Sequence, residues 1–170
     1  MIRKVIGLTS VISVVSGKMV NVTTEIIIHL PKEKVAEFAS DPDNAPKWQI
    51  NIESVEWLTE KPLKAGSQLG VRAKFMGQHL HYIYEVLEYI HGQKLVMQTV
   101  NTPYVIETTY GWQAVDENST CMTLHNRGIP PGLSKILTPI VAIVIKQTNR
   151  RELKQLKLLL EKSVHILQPM

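Results

Sequence analysis

Leu69-Gly-Val-Arg-Ala-Lys-Phe-Met-Gly-Gln-His-Leu-His-Tyr-Ile-Tyr-Glu-Val86 is the stretch on which the reading of the chain turns. Leu69, Val71, Ala73 and Phe75 alternate with Arg72 and Lys74, and Leu80, Tyr82, Tyr84 and Val86 alternate with His79, His81 and Glu85. Strict alternation is the signature of a strand with one buried face, because successive side chains point to opposite sides. Between the two runs, Met76-Gly77-Gln78 has the composition of a tight reversal. A reversal that short cannot carry a parallel crossover, so the pair must be an antiparallel hairpin.

The same pattern extends outward in both directions. Residues 51–58, 67–76, 79–90, 93–101, 103–114 and 119–127 read as six strands, separated by local breakers such as His91-Gly92-Gln93 and Asp116-Glu-Asn-Ser119. Ile106, Thr108, Tyr110 and Trp112 continue the inward phase, as do Thr120, Met122 and Leu124, while Glu107 and Gln113 fall on the outward one. Upstream, residues 20–30 with Thr23, Thr24 and three consecutive isoleucines favour a further strand, ended by Pro31. A short helix over 32–40 follows, then Asp41-Pro-Asp-Asn-Ala-Pro before Trp48, room for a second short helix or turn. Downstream, Arg127-Gly-Ile-Pro-Pro-Gly132 breaks the sheet pattern ahead of a long helix. Thr138 before Pro139 suits a helical start, with Ile136, Ile140, Val144, Leu153, Leu156 and Leu160 expected toward the sheet and Lys146, Arg150, Lys154 and Glu161 toward solvent.

The fold expected is therefore α+β: a curved antiparallel sheet of about seven strands around a long C-terminal helix, with two short helices after the first strand. The chain has 170 residues, 44% of them hydrophobic and 20% charged, which suits one domain over 20–165, an N-terminal extension over 1–19 and a short tail over 166–170. A lone cysteine, Cys121, excludes an internal disulfide and a multi-cysteine metal site. The formal charge of +4 comes from basic residues spread along the chain, the cluster Arg150-Arg151, Lys154 and Lys157 reading as a solvated helix face, so nucleic acid is not an expected partner. Residues 1–15 imitate the charged and apolar parts of a secretory signal, but polar interruptions and the lack of a small-residue cleavage site make an extension the expected reading, with a cytoplasmic location as the default.

In this order, several weak signatures acquire weight. They are Leu30-Pro-Lys-Glu-Lys-Val-Ala-Glu-Phe-Ala-Ser-Asp-Pro-Asp-Asn-Ala-Pro-Lys-Trp48, Lys64-Ala-Gly-Ser, Tyr84-Glu-Val-Leu-Glu-Tyr89, Tyr110-Gly-Trp-Gln-Ala-Val-Asp-Glu-Asn-Ser-Thr120 and Leu156-Lys-Leu-Leu-Leu-Glu161. With them the chain resembles the START-like, Bet v 1-like helix-grip superfamily from Val20 to Glu161, especially its bacterial polyketide cyclase/dehydrase and lipid-transport branch. The resemblance implies a sheet that grips the final helix with an apolar cavity between them. It does not select a reaction, since related folds include carriers, cyclases and hydrolases.

The residues expected to meet a ligand are Trp48, Phe75, Tyr82, Tyr84, Met97, Tyr110, Trp112, Met122, Ile140 and Val144. The aromatic residues among them combine an apolar body with a hydroxyl or indole N–H that can hold one polar group, although the same residues would also make an ordinary core cluster. Trp48 can close an entrance or anchor the helix pair, and Met97 and Met122 can adapt to a guest or fill irregular core space. Val35 and Phe38 read as core.

No catalytic residue is nominated. His79 and His81 share a strand face with Glu107 on a supposed neighbour, but they read as a solvated sheet face and no metal or cofactor is expected. Arg72, Glu85 and Glu107 read as an exterior ion network. No dinucleotide or phosphate-loop motif occurs, and Cys121 lacks an adjacent histidine. The leading expectation is binding or transport of a small hydrophobic molecule: a lipid, an isoprenoid or an aromatic polyketide-like compound. The short helices and the loop over 127–132 would be its gates. A floor without charge would favour carriage over catalysis. A cyclase or dehydratase is the first alternative, with Tyr84, Tyr110 or Glu85 as proton carriers. The second is a module contacting a protein or a membrane surface through an apolar strip over 136–145, and oligomeric state stays open.

Overall fold

The computed structural model describes residues 19–102, 105–129 and 138–165. The first strand, β1 (Val20–Ile28), leads into α1 (Lys32–Ser40), a single 3-10 turn over Pro42–Asn44 and the short α2 (Ala45–Trp48). Then come β2 (Ile52–Trp57), β3 (Gln68–Phe75), β4 (Gln78–Ile90), β5 (Lys94–Val100), β6 (Ile106–Asp116), β7 (Ser119–Gly128) and the long α3 (Thr138–His165). This is the α+β helix-grip arrangement that the resemblance implies, on the antiparallel meander that the alternation pattern predicts.

Hairpin connections make β2 to β7 a meander, and β1 closes it by pairing with β7, so that the order across the sheet is β1-β7-β6-β5-β4-β3-β2. All pairs are antiparallel. The β3–β4 reversal has Phe75 opposite Gln78, with φ of 49° at Met76 and 80° at Gly77. Positive φ at both central residues is the type I′ geometry, whose twist matches that of the strands it joins.

Register shifts between Val86 and Glu88 on β4, between Ile52 and Ser54 on β2 and between Ala114 and Asp116 on β6 mark bulges. Each adds local bend and twist, and together they curve the sheet around α3. The core fills one end of this grip. Ile28, Val35, Trp48, Val86, Leu95, Met122, Leu153 and Leu156 are fully buried there. Asp41 ties down the linker before α2 by accepting from the Asp43 N–H at 2.9 Å, and Asp43 in turn accepts from Trp57 Nε1 at 2.8 Å.

The phase of α3 differs from the sequence expectation. Ile140 is 53% exposed and Val144 only partly buried, whereas Val141 is buried and Ile145 lies on the sheet side. On a helix of 3.6 residues per turn, Ile140 and Val144 lie about 160° and about 120° around the axis from Leu156, so they do not share its face. Counted back from Leu156 in true turns, the inward face is Leu153 with Glu152, then Asn149, Ile145 and Val141. Ile136 and the loop residues 130–132 lie outside the described residues. Glu107 also sits differently: β5 separates β6 from β4, and Glu107 faces Arg127 at 3.7 Å while His79 meets Glu53 at 3.4 Å.

Candidate functional site

Between this core and a smaller cluster of Val20, Val22 and Val141, where the start of α3 packs on β1, sheet and helix stand apart around a cavity of about 160 Å³. Alternate residues of four strands form its curved wall: Ala73 and Phe75 on β3, Leu80, Tyr82 and Tyr84 on β4, Ile106, Thr108 and Tyr110 on β6, and Leu124 and Asn126 on β7. Gln49, Asn51 and Ile52 close one side, and Ile145, Thr148, Asn149 and Glu152 of α3 form the opposite face. A smaller hollow of about 40 Å³ adjoins it under α1 and shares Gln49, Ile52, Tyr84 and Tyr110.

Of the residues expected from sequence, Phe75, Tyr82, Tyr84 and Tyr110 reach the main cavity, and Met97 lines the smaller hollow. Trp48, Trp112 and Met122 are core, with Trp48 and Trp112 packed at 5.8 Å and 6.2 Å from the Tyr110 ring. Both indole nitrogens are buried without a hydrogen-bond partner. Ile140 and Val144 do not line the cavity.

Asn126 and Asn149, which sequence reasoning passed over, join Thr108 and Tyr84 in a chain of polar groups. Asn149 donates from Nδ2 to Asn126 Oδ1 at 2.7 Å and, more weakly, to Thr24 Oγ1 at 3.5 Å. Asn126 donates from Nδ2 to Thr108 Oγ1 at 3.0 Å, and Thr108 shares a hydrogen bond of 3.0 Å with the Tyr84 hydroxyl. Separately, Gln49 donates to the Tyr110 hydroxyl at 2.7 Å. Buried amides and hydroxyls are held in this way because leaving one unpaired costs about 1–3 kcal/mol. The result is a fixed polar strip across an otherwise apolar wall.

Beside it stands Glu152, 7% exposed. Burial pushes its carboxyl up to about 7, against which the backbone N–H groups of Asn51 and Ile50 act only in part. Glu152 forms no ion pair among the described residues. Tyr110 is held well above the ordinary tyrosine range, first by burial and then by the neighbouring Tyr84 and Glu152, so it keeps its proton and remains a donor. The floor is therefore uncharged in its amides and hydroxyls but contains one carboxyl poised to gain or lose a proton near neutrality. The α3 turn count was the signal that would have found Asn149 and Glu152; their polarity had hidden them from a search for apolar positions. Among the described residues, no three His, Cys, Asp or Glu side chains converge.

The sequence matches the family described as polyketide cyclase/dehydrase and lipid transport over residues 19–161. The chain belongs to that family. Solved structures with the same fold include the Zhui aromatase/cyclase of Streptomyces sp. R1128, at 14% identity and a TM-score of 0.74 over 86% of this chain and 96% of that one. A START superfamily protein from Mycobacterium smegmatis is similar at 19% identity and a TM-score of 0.70, covering 86% and 99% of the two chains. A protein from Thermus thermophilus matches at 19% identity with a TM-score of 0.72 over 84% and 98%. No curated protein matches the sequence. At these identities the likeness to the solved structures is one of fold, the helix grip.

Proposed function

We propose that the protein binds a small, mainly apolar molecule between its sheet and α3, with the guest's polar end directed to the strip formed by Tyr84, Thr108, Asn126, Asn149 and Glu152. The observation that carries this reading is the combination of an apolar wall with a few converging, pre-paired polar groups, the usual chemistry of a ligand site. Apolar burial supplies the affinity, at roughly 25 cal/mol per Å² removed from water, and the polar strip supplies orientation. The cavity of about 160 Å³ resembles in size the engineered cavities of about 150 Å³ that take up benzene, so it suits a guest, or a portion of one, about one ring in extent. Native mass spectrometry of the purified full-length chain, followed by extraction under denaturing conditions, tests the proposal. A reproducible apolar adduct is expected, lost on Leu124→Trp, which fills the space; a folded protein that takes up no guest of this size overturns it.

A second reading is favoured by Glu152 specifically. A floor without charge would have pointed to carriage alone, whereas a carboxyl that titrates near neutrality beside a hydroxyl donor, Tyr110, suits general acid–base work such as a dehydration or cyclisation. Its test is chemical: the extracted guest, returned to the protein in saturating amount, should lose or rearrange atoms in a manner that stops in Glu152→Gln even at saturation. Unchanged guest in both proteins leaves carriage as the function.

A further inference from the structure

The charges around the cavity are unbalanced. Glu152 brings a carboxyl to its wall, and among the described residues no Lys, Arg or His lines it. That carboxyl is buried on the inward face of α3 with no cationic partner among the described residues. Thr148 and Asn149 stand beside it on the same helix face, and both also line the cavity. The helix thus brings a carboxyl, which accepts from the backbone N–H groups of Asn51 and Ile50, to an apolar hollow lined by Phe75, Leu80, Ile106 and Leu124.

We infer that the guest is an apolar molecule with a protonated amine at its polar end, favoured over molecules that end in a hydroxyl or a free carboxylate. The inference rests on the cavity-binding reading above and names the class of ligand that the same site takes. An ammonium brings the positive charge that the wall lacks, together with N–H donors for its oxygens, and in a low-dielectric hollow that pairing far exceeds its worth in water. A carboxylate would place a second negative charge beside Glu152, so that one of the two would have to take up a proton or leave. An alcohol falls between them, since it donates one hydrogen bond without charge. The upward displacement of the Glu152 titration agrees with a carboxyl to which the wall itself offers no counter-charge.

The test uses three matched probes, 2-phenylethylamine, 2-phenylethanol and phenylacetate, titrated calorimetrically into the full-length protein at about pH 8, above the Glu152 titration. The amine should bind at least about tenfold tighter than the alcohol, and phenylacetate weakest of the three. In Glu152→Gln, the advantage of the amine over the alcohol should shrink to within about twofold. Should that variant not fold by circular dichroism, Glu152→Asp serves instead, because withdrawing the charge by one methylene must weaken the amine and spare the alcohol. Phenylacetate binding as tightly as the amine overturns the inference, and so does an amine preference that survives the loss of Glu152. If the alcohol binds and the amine gains nothing over it, the amine assignment fails and the cavity reading stands. If none of the three binds, both fail together.

Discussion

Asn149 on α3 donates through Nδ2 to Oδ1 of Asn126 on β7 at 2.7 Å, a polar bond between helix and sheet at the edge of an otherwise apolar space. It ties α3 to the sheet there. Replacing Asn149 by Ala strands the Asn126 carbonyl oxygen and should cost about 1–3 kcal/mol. The pair should also be coupled. In a double-mutant cycle with Asn126→Ala, urea denaturation is expected to return an interaction energy of about 0.5–3 kcal/mol. Additive losses would mean that the two amides do not act together.

Glu152 makes stability depend on pH. Its folded value of about 7 lies above the ordinary 4.5, so the native state holds the proton more tightly than the unfolded chain does. The contribution is fully present below about pH 4.5 and is lost as pH rises through about 7. The two values differ by about 2.5 units, so the full swing is of order 3 kcal/mol. Glu152→Gln should remove this dependence. Its stability relative to the wild type should therefore improve between about pH 4.5 and 7 and level off above, as read from denaturation midpoints across that range.

Tyr84 and Tyr110 both line the cavity but differ in surroundings. Tyr84 is part-buried and its hydroxyl ends the chain through Thr108, whereas Tyr110 is buried against Trp48 and Trp112 and bonded to Gln49. Tyr84→Phe should therefore lower ligand affinity with a stability loss within about 1.5 kcal/mol, and Tyr110→Phe should lower both. Thermal unfolding and ligand titration on the same preparations separate the two effects. Equal losses in both assays at Tyr84 would assign it to the core.

Gly128 ends β7 with φ of 152°, and a Cβ at this position would lie 2.1 Å from the Val105 carbonyl oxygen. The neighbour is backbone and cannot swing aside. Gly128→Ala should therefore destabilise the protein by about 1–3 kcal/mol, measured by thermal or urea unfolding. A change within about 0.5 kcal/mol would mean that the β6–β7 end adjusts freely.

Much of this architecture was legible in the residues themselves. The alternation around Met76-Gly77 dictated a hairpin, because a period of two with a two-residue reversal admits no other pairing. The inward phase of Ala73, Phe75, Leu80, Tyr82, Tyr84, Ile106, Thr108, Tyr110 and Leu124 followed from the same rule, and those side chains line the cavity. Long-range consequences were less accessible. Trp48, Trp112 and Met122 look in sequence as suited to a cavity wall as the tyrosines that line it, yet α2 places Trp48, and β6 and β7 place Trp112 and Met122, in the filled end of the grip. On α3, a search for apolar residues suggested Ile140 and Val144, while the phase set by Leu153 and Leu156 brought Asn149 and Glu152 inward.

Local backbone preference and side-chain alternation thus determined the strands, their antiparallel order and the sheet face that turns inward. The distance between sheet and helix, and with it the existence of a hollow and the burial of a carboxyl beside it, came only from the packed structure. Such a distance depends on how side chains from separate elements interlock, and dehydration of one glutamate depends on every neighbour that removes water from it; neither is a property of any short stretch of chain.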